Sequence, residues 1–167
     1  MKTKVSFLLL CLTMVVAVSV SSCSDDDTHG VQVPENISQA MKAKYPAATH
    51  VEWETKGNYY VADCMLDGNE LEAWFSRQAV WVLSVMDITW NNLPPAVQTS
   101  FLSGRYADWK IEELEYLEYP LLPVQYVIRV EQGENELQLF YSDTGGLLRE
   151  HPVSGDDDTH WPLIYGG

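Results

Sequence analysis

Several groups of side chains in this sequence could do chemistry, and each carries a geometric condition. Asp63 and Glu72, with Glu70 near, are carboxylates that a hairpin would set side by side. Such a pair costs stability unless a cation or a basic group joins it, so these three form a weak candidate cation site. Glycosidase-type acid and base work would need a sugar-sized cleft between the carboxylates, which a hairpin face does not enclose. The string Asp25-Asp26-Asp27-Thr28-His29 returns as Asp156-Asp157-Asp158-Thr159-His160. Consecutive aspartates fan out instead of alternating as they do in a calcium loop, and acidic runs in tails are ordinarily solvated. His29, His50, His151 and His160 show neither metal-ligand spacing nor a Ser or Cys partner pattern. Cys64 could act as a nucleophile only with a base beside it and part of its surface exposed. With none of these conditions met by spacing alone, the chain reads as a non-enzyme with no cofactor and no catalytic residues.

The elements that must position these groups come from an internal duplication. Val33-Pro34 with Ile37 and Met41 recurs as Leu93-Pro94 with Val97 and Phe101, an offset of 60 residues. Tyr60-Val61, Asn69-Glu70-Leu71 and Trp74-Phe75-Ser76 recur as Tyr126-Val127, Asn135-Glu136-Leu137 and Phe140-Tyr141-Ser142, an offset of 66, so the second copy carries six extra residues near Glu115 to Pro123. Each copy opens with an amphipathic helix. The first has Val33, Ile37, Ala40, Met41 and Tyr45 at helical spacing and is ended by Pro46, and the second runs from Pro94 to about Ser103 and stops at Gly104. About four strands follow in each copy, rich in Val, Tyr, Trp and Phe, with outer strands expected at His50 to Glu54, Val80 to Met86, Lys110 to Tyr116 and Leu147 to Glu150.

The central hairpins can be registered by counting from their turns. Asp67-Gly68 suits a two-residue type I′ turn that pairs Leu66 with Asn69, and Gly133-Glu134 suits type II′. The register then puts Cys64 with Leu71, Ala62 with Ala73 and Tyr60 with Phe75 on one apolar face, which takes the helix and buries the lone thiol. The opposite face receives Met65 with Glu70, Asp63 with Glu72 and Val61 with Trp74, and in the second copy Arg129 with Gln138 and Val127 with Phe140. On that face Trp74 and Phe140, with Val61 and Val127 beneath them and Arg129 beside them, are expected to form an exposed strip for a partner. The competing reading is that Trp161-Pro162-Leu163-Ile164-Tyr165 folds back and buries it.

The duplicated helix-plus-meander, the segment Tyr45-Pro46-Ala47 and the Asn-Glu-Leu strand with its paired aromatics resemble the tandem PepSY-like proteins, which are similar to beta-lactamase inhibitor protein. The resemblance spans roughly Val33 to Val153 and implies an α+β fold: two tandem repeats of a helix and a four-strand antiparallel meander, forming one continuous sheet with helices on one face and the other face free for a partner. Gly104-Arg105-Tyr106-Ala107 replaces the Tyr-Pro helix exit in the second copy.

The N-terminus sets the compartment. Lys2 and Lys4, an apolar run from Val5 to Val20 and the small residues Ser21 and Ser22 read as a signal peptide. Val20-Ser21-Ser22-Cys23 resembles a lipobox with Cys23 as the acylated residue, and the acidic run Ser24 to Asp27 is similar to the surface-export signal of Bacteroidetes lipoproteins. The expected organisation is signal peptide 1–22, acidic tether 23–32, repeats 33–90 and 91–153, and tail 154–167. The expected place is the outer membrane, on its periplasmic face or at the cell surface. Loss of Lys2 and Lys4 takes the formal charge from −14 to −16, which repels nucleic acid and anionic head groups and leaves the lipid as the only membrane contact. The partner implied is a protein or peptide of the cell envelope. A structural scaffold or a cation-responsive sensor built on Asp63, Glu70 and Glu72 are the alternatives. Cys23→Ser is expected to leave an unacylated precursor that no longer partitions with membranes, which fractionation and a fatty-acid label will read directly.

Overall fold

The computed structural model describes residues 31–153. Cys23 and its lipobox, both acidic Thr-His strings and Trp161 to Tyr165 lie outside the described residues. Helix α1 (Glu35–Lys44) is followed by strands β1 (Thr49–Lys56), β2 (Tyr59–Leu66), β3 (Asn69–Ser76) and β4 (Trp81–Asp87). A 3-10 turn at Trp90–Asn92 leads to helix α2 (Pro95–Ser103), then β5 (Lys110–Glu118), β6 (Gln125–Gln132), β7 (Asn135–Ser142) and β8 (Leu147–Pro152). All eight strands form one antiparallel meander in chain order. The order of elements is thus a helix and four strands, twice.

Local chemistry starts and stops these elements. Both helices follow a proline whose carbonyl accepts the first turn's amides: Ile37 N–H donates to Pro34 O at 2.9 Å and Val97 N–H to Pro94 O at 2.9 Å. Glu35 in the first turn of α1 and Lys42 and Lys44 in its last turn oppose the helix dipole. The β2–β3 turn has positive φ at both Asp67 and Gly68, as type I′ requires, whereas the β6–β7 turn has it at Gly133 alone of its central pair, as type II′ requires. Both central hairpins therefore take the register counted from their turns, Cys64 opposite Leu71 and Val127 opposite Phe140. The β3–β4 and β7–β8 turns are also alike. Ser76 Oγ accepts from Val80 N–H at 3.2 Å, and Ser142 Oγ accepts from Gly146 N–H at 3.0 Å. The left-handed residue is Ala79 in the first and Gly145 in the second. Gly145 is required, since a Cβ there would sit 2.5 Å from the Ala96 carbonyl oxygen of α2.

Cross-strand partners define the two faces. The row Leu71, Met86, Tyr116, Tyr126, Tyr141 crosses from β3 to β7 on one side. On that side Ile37 and Met41 of α1 pack with Ala62, Cys64, Leu71, Ala73 and Phe75, and Val97 and Phe101 of α2 pack with Ile128, Val130, Leu139 and Tyr141. Both helices therefore cover the same face, and Cys64 is buried under α1 with its thiol donating to Leu71 O at 3.5 Å.

The opposite face corrects one expectation. Val61, Trp74, Val127 and Phe140 do lie on it, but they are not exposed: Trp74 is 1% and Phe140 2% accessible, and both valines are at 0%. They belong to one buried cluster with Leu83 and Val85 of β4, Leu117 of β5, and Tyr119. The strip is closed because β4 and β5 supply aliphatic side chains that join its two halves. Register shifts in β1, β4, β5 and β8 add to this, since a bulge bends a strand and sharpens the twist of the sheet. Tyr59 meets Trp74 edge-on at 6.0 Å, and the Arg149 guanidinium lies 3.5 Å from the Phe140 ring centroid. Trp74→Ala is accordingly expected to destabilise the chain by about 3 to 5 kcal/mol, as much as Leu71→Ala, in paired urea melts.

Candidate functional site

The helix-free face is apolar along one part and acidic along another, and the register explains the division. Glu52, Asp63 and Glu72 stand in one cross-strand row that continues into Val85 and Leu117. Asp87 and Glu115 stand in another that continues into Val127, Phe140 and Arg149. Where the carboxylate parts of these rows meet, the face encloses a hollow of about 560 Å³. Seven carboxylates line it, those of Glu52, Asp63, Glu70, Glu72, Asp87, Glu113 and Glu115, against the two permanent cations Lys56 and Arg129.

Two groups of three carboxylates offer oxygens within 4.8 Å of one another: Glu54, Asp63 and Glu72, and Asp87, Glu113 and Glu115. Lys56 serves the first, with its Nζ 2.8 Å from Glu54 and 3.3 Å from Glu72, while Trp74 Nε1 donates to Glu72 at 3.1 Å. Arg129 serves the edge of the second, pairing with Glu113 at 3.3 Å and with Glu136 through a short bond from Nε. Oxygen triads of this kind suit a hard divalent cation or an ammonium or guanidinium group, since each supplies localised positive charge to repelling carboxylates. Burial, then repulsion from Glu72 and Glu54, pushes the Asp63 carboxyl up to about 6. Burial, then Glu113 and Glu115, pushes Asp87 up to about 6 as well.

Sequence reasoning placed part of this site. Asp63 and Glu72 are adjacent as expected, and Arg129 faces the hollow, where it is held by Glu113 and Glu136. Glu70 lines the hollow but does not complete their group; it pairs with Met65, two residues nearer the turn, and Glu54 from β1 takes the third place. Asp87, Glu113 and Glu115 were missed entirely. Their encounter depends on the pairing of β4 with β5, and a helix intervenes between those strands, so no turn fixes the register by counting. The one available signal was the glutamate pattern Glu112-Glu113-Glu115 in a strand that otherwise reads as apolar.

An eight-stranded antiparallel meander with two helices on one face and a hollow on the other defines an α+β class of sheet protein. The chain belongs to the family described as beta-lactamase-inhibitor-like, PepSY-like, which matches residues 22–65 and 58–149. It is similar to the crystal structure of a BLIP-like protein from Bacteroides fragilis, at 46% identity over 83% of this chain and 99% of that one, with a TM-score of 0.75. A DUF2874 family protein from Bacteroides ovatus shares 31% identity over 83% of this chain and 100% of its own, with a TM-score of 0.77. A protein from Bacteroides eggerthii described as periplasmic shares 25% identity over 74% of this chain and 91% of its own, with a TM-score of 0.70. No curated protein matches the chain. Among the described residues no helix is long and apolar enough to cross a membrane.

The raised carboxyls carry a pH signature. Asp63 and Asp87 hold a proton more tightly in the folded chain than in the unfolded one, so folding takes up protons between pH 7 and pH 5 and stability rises as the pH falls through about 6. Each site, discounted for its contact with solvent, is expected to contribute roughly 1 kcal/mol to that rise. Thermal melts at pH 7.5 and pH 5 should show the gain, and Asp63→Asn with Asp87→Asn should flatten it by stabilising the chain at pH 7.5.

Proposed function

We propose that this protein is a non-enzymatic lipoprotein of the cell envelope that binds a protein or peptide through the acidic part of its helix-free face. The observation that carries this reading is the hollow itself, a concave site of about 560 Å³ in which seven carboxylates outnumber two cations. A site of that charge attracts a Lys- or Arg-bearing segment, because each cation entering it relieves repulsion already stored between fixed carboxylates. The periplasmic description of one structural relative supports an envelope location, and Cys23 would hold the protein there by its lipid. The two helix-and-strand units are read as copies of one ancestral unit, in line with the repeated element order and the two matched stretches. The inhibitor-like family suggests a hydrolase loop as the segment bound, and this rests on analogy of fold.

The burial of Trp74 and Phe140 moves the binding surface away from the aromatic strip, and it also favours a second reading, a structural lipoprotein whose two faces are both core. Calorimetric titration of the mature chain with a lysine-rich decapeptide at low salt separates the two. The binding reading expects an affinity that falls with added salt and drops about tenfold or more in Asp87→Asn with Glu113→Gln, since each tenfold loss corresponds to about 1.4 kcal/mol and two charges are removed. No heat of binding with the peptide would leave the scaffold. Calcium that binds more tightly than the peptide would instead make the carboxylate groups a cation sensor.

A further inference from the structure

The connection between β5 and β6 is longer than the sheet requires. Its equivalent in the first unit, Gly57-Asn58 between β1 and β2, closes the hairpin in two residues, whereas Tyr119-Pro120-Leu121-Leu122-Pro123-Val124 takes six. Tyr119 is buried in the cluster that holds Leu83 and Leu117. Leu121, by contrast, is 94% exposed and Leu122 48%. A leucine left in water contributes almost nothing to the fold. The prolines on either side of the pair fix two of the loop's φ angles, so the loop holds out both side chains at little cost in entropy.

Strand order gathers further exposed apolar side chains at the same place. In this antiparallel meander the β1–β2, β3–β4, β5–β6 and β7–β8 connections leave from one end of the sheet, and β2–β3 and β6–β7 from the other. Val80 at the end of the β3–β4 turn and Leu147 and Leu148 at the start of β8 are all exposed. They flank the loop on both sides, since β4 pairs with β5 and β6 with β7. Charge is sorted along the same axis. The chain carries a formal charge of −14, yet the four connections at this end hold one cation, Arg77, and one carboxylate, Asp143, and no charge falls between Glu118 and Arg129. Lys56 and Glu118 at the adjoining strand ends add one of each sign. The hollow and its carboxylates lie toward the other end, where Glu70 is close to the Asp67-Gly68 turn and Asp87 ends β4.

We propose that this end of the sheet docks on a lipid bilayer, with Leu121 and Leu122 entering the boundary between head groups and acyl chains and Val80, Leu147 and Leu148 resting against it. A protruding tip of aliphatic side chains with balanced charge suits a fluid surface that closes around it. The net charge that repels head groups from the rest of the chain assists this pose, because it turns the acidic end away and leaves the hollow facing outward. Docking is independent of the cationic-partner reading, for none of its five residues lines the hollow.

The test uses the whole chain from residue 23 with Cys23→Ser, held at phosphatidylcholine vesicles by an N-terminal histidine tag on a nickel-chelating lipid. Weak contacts are then read at high effective concentration and without an acyl chain. An NBD dye on Gln78→Cys, in the exposed β3–β4 turn, should be quenched several-fold more by doxyl-labelled lipid than the same dye on Glu134→Cys in the β6–β7 turn. Cys64 is buried and stays unlabelled. Leu121→Asp with Leu122→Asp should abolish the difference while the urea midpoint is unchanged. Leu121→Ser alone should reduce it with no charge introduced, which covers a double variant that fails to fold. Equal quenching at the two positions, no quenching at either, or quenching at Gln78→Cys that survives the leucine substitutions would overturn the proposal. So would a dye response that appears when the protein is concentrated without vesicles, as contact between copies would give.

Discussion

The ladder in which Ser84, Val85, Met86 and Asp87 of β4 pair with Glu118, Leu117, Tyr116 and Glu115 of β5 is the constraint on which the rest of the structure depends. Each helix packs on a hydrophobic cluster of its own, so without this short seam the two units would share no sheet. The seam is reinforced from the helix side by polar contacts from the end of α1. Tyr45 donates from its hydroxyl to Ser84 at 2.6 Å and to Glu118 at 3.3 Å, and Lys44 reaches Glu118 at 3.3 Å while resting 3.4 Å from the Trp81 ring centroid. Trp81 Nε1 donates to the same Ser84 hydroxyl at 2.8 Å, so the oxygen of the buried serine accepts from two side chains. The Tyr-Pro exit of α1 is thus more than a stop signal: it places a phenol over the joint between the units.

The second unit solves the matching problem with other residues. Its helix ends at Gly104, and Tyr106, stacked edge-on to Trp109 at 5.1 Å, donates to Glu150 at 2.7 Å. That bond reaches β8, the outer strand, as the Tyr45 bond reaches β4. The departure from the Tyr-Pro exit therefore preserves the function of the phenol, a tie between a helix end and the fourth strand of its own unit, at a different sequence position.

What could be read from the sequence follows what is locally determined. Both central hairpins were legible to the residue, because Asp67-Gly68 and Gly133-Glu134 leave no freedom of register once the turn type is known, and the helices were legible to within a residue or two at their ends. Three outer strands extend one or two residues past the expected ends, as at Thr49–Lys56 and Lys110–Glu118, and the strand expected at Val80 to Met86 lies one residue further on at Trp81–Asp87, since these ends carry mixed residues with no turn signal. Which side of the sheet each residue faces was legible, and how deeply it is buried was not. Alternation assigns Trp74 and Phe140 to the helix-free face correctly, but burial there depends on Leu83, Val85 and Leu117 arriving from strands whose register is non-local. The same gap hid the carboxylates of Asp87, Glu113 and Glu115 while showing those of Asp63 and Glu72.

Among the described residues the eight-stranded sheet ends at β1 and β8, and each of these strands carries an irregularity. His50 sits at positive φ where the register of β1 shifts, and β8 shifts register between Arg149 and Leu147 and reaches Pro152, which has no amide hydrogen to donate. Among the described residues, each edge is thus interrupted near one end. The bulges that help curve the sheet thereby also shape its margins: a strand added at either edge of the described residues would meet a kink in the ladder it had to follow.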